Sequence, residues 1–154
     1  MGQQAFGKEC LEAVINKGKD EVAAVYCAPD KENKPLDPIK EYALEQGLPA
    51  IQPRNFKDKE VLDEMRSFNA DLCVMAYVTL FVPEAAREIP KQGSICFHPS
   101  LLPKHRGPSS INWAIISGAT KTGLTIFWPS DGLDEGDILL QKEVDVDQDD
   151  TLGI

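Results

Sequence analysis

The sequence predicts an α/β domain built on a mostly parallel sheet. Segments with helix-spaced apolar residues alternate with short apolar runs along the whole chain. The short runs are apolar on consecutive positions, as strands covered on both faces are. Glycine and proline fall between the segments, where turns belong. The chain has 154 residues, one domain's worth and enough to bury a core.

Residues 6–17 carry apolar positions at Phe6, Cys10, Leu11, Val14 and Ile15, a helical spacing that Gly18 should stop. Val22 to Cys27 has strand length, and Pro29, Asn33, Pro35 and Pro38 mark the loop after it. Ile39 to Gln46 reads as a helix ending at Gly47, and Leu48 to Ile51 as a brief strand. Lys57 to Phe68 is helical, with Val61, Leu62, Met65 and Phe68 on one face. Asp71 to Tyr77 is a buried strand, followed by a short helical turn after Pro83. Ser94 to Phe97 is another strand, 108–117 a helix, and Leu124–Trp128 and Ile138–Lys142 two further strands. No internal repeat or linker interrupts the pattern. Both ends read as incomplete. A helix opens with no strand before it, and Asp149 to Ile154 looks like the cap of a helix that does not follow.

The formal net charge of −9 disfavours phosphate backbones, so no nucleic-acid binding is expected of this segment. Cys10, Cys27, Cys73 and Cys96 form no CxxC pair. They read as reduced thiols of a cytoplasmic protein, neither a disulfide framework nor a metal site. The apolar runs are too short to span a membrane, and the first residues lack the features of a signal peptide.

Three places carry candidate chemistry. His98 follows directly on a strand, at the sheet edge where α/β domains bind ligands, and imidazole exchanges a proton near neutral pH. Asp134 lies in Asp131–Asp137, a stretch that composition alone reads as a solvated acidic turn. The loop Ser100 to Gly107 places Leu101 and Leu102 where turns are usually polar; they either plug the core or line a pocket. His105 in that loop reads as exposed. Gly2 to Gly7 fails the dinucleotide fingerprint, and Asp145, Asp147, Asp149 and Asp150 read as a solvated strand edge and not a calcium site.

Taken together, the stretch His98-Pro99-Ser100-Leu101-Leu102-Pro103-Lys104-His105-Arg106-Gly107, the run Thr122 to Ile126, and Gly132-Leu133-Asp134-Glu135-Gly136-Asp137 resemble the formyltransferase family that uses 10-formyltetrahydrofolate. That family includes methionyl-tRNA formyltransferase and the hydrolase domain of 10-formyltetrahydrofolate dehydrogenase. The resemblance extends over essentially the whole chain, 1–154, as an N-terminal catalytic domain incomplete at both ends. It implies a Rossmann-like sheet lacking its first strand and its C-terminal part.

The resemblance also implies a catalytic pair. His98 would transfer the proton and donate to the oxyanion, and Asp134 would orient it. The folate would be held by Tyr77 and the 77–83 segment, by Leu101, Leu102, Pro103 and Arg106, and by Asp131, Gly132 and Leu133, without a metal. Cys96 stands where transferases of the family carry Asn, two residues before the histidine and on the same strand face. The implied reaction is formyl transfer to an amine. Hydrolysis to tetrahydrofolate and formate, or an inactive folate-binding fragment, are the alternatives. The acceptor (tRNA, an amino sugar or water) stays open. The stretch Pro108 to Trp113 looks closer to the dehydrogenase's hydrolase domain.

Overall fold

The computed structural model describes residues 1–151; the helix opening expected at Asp149 to Ile154 lies partly outside them. The chain divides into two compact units, Met1–Ser94 and Ile95–Ile154.

In the first unit, helix α1 (Gln4–Lys17) begins two residues before its apolar pattern does. It ends where the sequence says, with Gly18 left-handed and its N–H returned to the Ile15 carbonyl. Strand β1 (Val25–Tyr26) is short. Helix α2 (Pro38–Glu45) opens on Asp37, whose carboxylate accepts from the Ile39 N–H at 3.1 Å, with Pro38 at the position where a missing N–H costs nothing. Strand β2 (Ala50–Ile51) pairs parallel with β1, Val25 opposite Ala50. Helix α3 (Lys59–Ser67), strand β3 (Cys73–Met75) and the short helix α4 (Glu84–Arg87) follow.

Leu11, Val25, Cys27, Ile39 and Ala43 pack into the core of this unit. Met1 and Gly2 form an extended stub between two segments. Gly2 N–H donates to the Tyr26 carbonyl, Ala76 N–H to the Met1 carbonyl, and Gly2 bridges Ala76 in parallel. The parallel pairing and the helical layers are those of the α/β class that the alternation predicts.

The second unit holds the carboxyl part of β4 (Ser94–His98), helix α5 (Ser110–Ile116), and strands β5 (Lys121–Phe127) and β6 (Ile138–Asp145). These strands pair antiparallel, an arrangement the alternation does not announce. His98 lies opposite Thr125, and Lys121 opposite Asp145. Gly123, Thr125 and Phe127 form the buried face of β5, in the period-2 pattern of a half-covered strand. Strand β6 is exposed along its whole length, including Asp145 of the acidic run. None of the four cysteines is in a disulfide, and no described helix is long and apolar enough to cross a membrane.

Candidate active site

Three short pieces of the second unit converge on His98: the end of β4, the loop that follows it, and the turn between β5 and β6. His98 is the last residue of β4 and only 7% exposed. Its Nε2 lies 2.8 Å from the His105 carbonyl. A carbonyl can only accept, so this nitrogen carries the hydrogen and donates it. The other ring nitrogen, Nδ1, faces Asp134 Oδ2 at 3.6 Å, an ion-pair spacing longer than a hydrogen bond. Two residues separated by α5 and the whole of β5 thus lie side by side.

Asp134 is held by its surroundings. Its Oδ2 accepts the Gly107 N–H at 2.6 Å, and its backbone is left-handed, φ 46°. The turn beneath it is closed by Trp128 N–H to the Asp137 carbonyl and Ser130 N–H to the Glu135 carbonyl, both 2.9 Å. Gly136 makes this turn sterically possible. Its φ is 132°, and a Cβ there would overlap the Trp128 carbonyl oxygen.

The other residues singled out by sequence divide by exposure. Leu102 is buried, which answers its half of the core-or-pocket question in favour of the core. Leu101 is half-buried and packs over Gly123, where a Cβ would lie 2.7 Å from its Cδ2. Pro103 is exposed, and the Leu102–Pro103 peptide is cis. Arg106 pairs with Glu135 at 3.2 Å on the surface. Asp131 and Gly132 are exposed, and Leu133 stands 64% exposed at the turn's tip. Cys96 is half-buried, its thiol 3.6 Å from the Phe97 carbonyl. Tyr77 belongs to the first unit, half-exposed and left-handed. Among the described residues, no group of three or more His, Cys, Asp or Glu is arranged to hold a metal ion.

Sequence reasoning missed the backbone partners. The His105 carbonyl and Gly107 N–H carry no side-chain signature. The imidazole of His105 gave no reason to look at its carbonyl.

A family model described as formyl transferase matches residues 1–153. The chain is 42% identical over 157 residues to the cytosolic 10-formyltetrahydrofolate dehydrogenase of Mus musculus, covering 99% of this chain and 17% of that protein. It is 39% identical over 158 residues to the methionyl-tRNA formyltransferase of Alkaliphilus oremlandii, covering 99% of this chain and 51% of the relative. The chain therefore spans about half the length of these curated relatives, or less. In structure it is similar to phosphoribosylglycinamide formyltransferase from Bacillus halodurans, with a TM-score of 0.82 at 23% identity, covering 97% and 80% of the two chains. That likeness fixes the fold.

Proposed function

The chain belongs to the formyl transferase family, and from that premise we propose that His98 and Asp134 serve formyl transfer from 10-formyltetrahydrofolate to an amine acceptor. The observation that carries this reading is the placement of Asp134 Oδ2 3.6 Å from His98 Nδ1. Because Nε2–H is engaged by the His105 carbonyl, Nδ1 is the nitrogen left to work on the reacting groups. In the proposed step the amine attacks the formyl carbon, and a carbon–nitrogen bond forms as the carbonyl oxygen takes up negative charge. In the imidazolium form, which carries a hydrogen on both nitrogens, Nδ1–H donates toward that oxygen, and the Asp134 carboxylate offsets the charge on the ring. Collapse breaks the bond from the formyl carbon to the folate nitrogen. The proton lost by the amine ends on that nitrogen, relayed by the pair. The 3.6 Å separation is expected to tighten when the folate excludes water.

On this reading the exposed Leu133 and the backbone of Asp131 and Gly132 offer the pterin its contacts. Pro103 and Arg106 flank them on the neighbouring loop, as does Leu101, with buried Leu102 beneath. We read 1–154 as one catalytic domain of a cytoplasmic enzyme; four cysteines outside any disulfide fit a reducing compartment.

Cys96 favours a second reading, hydrolysis, in which water replaces the amine. A thiol is a weak donor where the family's transferases have an amide, and a missing oxyanion donor slows the step by about 10²–10³-fold. Turnover of 10-formyltetrahydrofolate, scored separately as formate and as formylated amine, distinguishes the two. His98→Ala is expected to lower either rate by about 10²–10⁴-fold. Equal turnover in the His98→Ala protein would remove the ring from the mechanism, and folate binding without turnover in the wild type would make the chain a binding fragment.

A further inference from the structure

The ring of His98 is set by a loop, and that loop is held by two side chains that no motif singles out. Thr125 sits opposite His98 in the β4–β5 register and is 0% exposed. Its hydroxyl donates to the Ser100 carbonyl at 2.7 Å. It accepts from the Leu102 N–H at 3.1 Å and from the Gln141 side-chain amide at 3.0 Å. The one donor and both lone pairs of the hydroxyl are thereby used. Gln141 reaches over from β6, and its Nε2 also donates to the Leu102 carbonyl at 2.8 Å. Since that carbonyl accepts only, the contact fixes which way the Gln141 amide points.

The rest of the loop follows from this clasp. Ser100 N–H returns to the His98 carbonyl at 2.9 Å, and Ser100 Oγ donates to the Lys104 carbonyl at 2.7 Å. Lys104 N–H donates to the Leu101 carbonyl at 3.0 Å. The next residue, His105, is left-handed and offers its carbonyl to His98 Nε2. Hydrogen bonds, joined at Lys104–His105 by the backbone itself, thus lead from Gln141 on the exposed strand to the ring of His98.

We propose that Thr125 and Gln141 are positioning residues: through Ser100–His105 they hold the His105 carbonyl against His98 Nε2, fixing the tautomer with Nδ1 turned to Asp134. The proposal rests on the His98-centred reading of the site, but its primary test observes the ring and not the reaction.

The chain contains two histidines, so nitrogen NMR of the full chain labelled in histidine shows two rings, and His98→Ala assigns them. In the neutral form of the ring, His98 is expected as a single tautomer protonated on Nε2. Gln141→Met lies on the exposed strand and removes both amide donors without entering the core. It is expected to convert that signal to a mixture of tautomers, and to lower kcat about tenfold with KM nearly unchanged, as a loosened ring orientation does. Thr125→Val should do the same, and Thr125→Ser, which keeps the hydroxyl, should restore the single tautomer. Retention of the wild-type ring signature in the Gln141→Met protein overturns the proposal, whatever the turnover. A signature that shifts as expected in a chain with no turnover upholds the clasp while removing the assigned reaction.

Discussion

Replacing Asp134 with Asn removes a charge from the pair at His98 and changes little else. Asn accepts a left-handed backbone as Asp does, so the φ of 46° is kept. Its amide oxygen can still receive the Gly107 N–H that now lies 2.6 Å from Oδ2. What disappears is the attraction across 3.6 Å to Nδ1. Two unit charges at that spacing attract by about 5 kcal/mol at an effective dielectric of ~20, before desolvation. The Asp134 side chain is 22% exposed, so water reduces the figure. The net value of a hydrogen bond to a charged group, about 1.5–3 kcal/mol, is the better guide. At about 1.4 kcal/mol per decade, kcat should fall about 10- to 150-fold. The assay is initial-rate turnover at saturating 10-formyltetrahydrofolate, run beside thermal unfolding, in which Tm should move by no more than about 3 °C. A folded Asp134→Asn protein with kcat within about threefold of wild type would refute the charge-offset argument.

Cys96→Asn introduces an amide donor two residues before His98. It is expected to raise formylation of an amine by about tenfold or more relative to formate release, measured as the product ratio; an unchanged ratio removes that position from the chemistry. Gly136→Ala forces a Cβ onto the Trp128 carbonyl at a φ of 132°, and should cost about 2 kcal/mol or more in denaturant unfolding. Burial first, then the nearby Asp37 carboxylate, pushes the Cys27 thiol up to about 11. The folded state therefore holds the proton more tightly than the unfolded chain does. The stability this contributes is complete below pH 9 and lost as pH rises from about 9 to about 11, which alkaline denaturation curves of wild type and Cys27→Ala would compare. The same shift makes Cys27 slow to alkylate at neutral pH, a result peptide mapping after iodoacetamide treatment can check.

The elements legible in the sequence are those with strong local punctuation. Gly18 stops α1 and Asp37 with Pro38 opens α2, because each signal acts on the backbone beside it. Strand β6 was foreseen only as far as Lys142, yet runs on to Asp145. An edge strand has no buried face to impose alternation. Its charged end is paired across to Lys121, which bonds Glu143 and lies 3.8 Å from Asp145, and that pairing extends β5 backwards as well. Conversely, the apolar run from Val22 forms a ladder only at Val25 and Tyr26, where β2 offers a partner. In the candidate site, the motifs point to His98 and Asp134. They do not point to the groups that hold them: one N–H and one carbonyl look like any other, and Thr125 reads as an ordinary β-branched strand residue until its register opposite His98 is known.

The left-handed backbone of Asp134 bears on how the site is put together. A non-glycine residue at φ 46° persists where its neighbours over-determine it. Here the cross-turn bonds of Trp128 and Ser130, and the space left by Gly136, close the turn independently of the aspartate's side chain. The carboxylate is therefore delivered to His98 by the turn, and the bond to Gly107 N–H then ties it to the loop whose next contact inward is the His105 carbonyl on the other ring nitrogen. Both nitrogens of one buried imidazole are addressed from loops that pack against each other. Disturbing either loop should move the ring even where no catalytic side chain has been touched. That coupling accounts for two of the three stretches carrying the resemblance, His98 to Gly107 and Gly132 to Asp137, being separated in sequence.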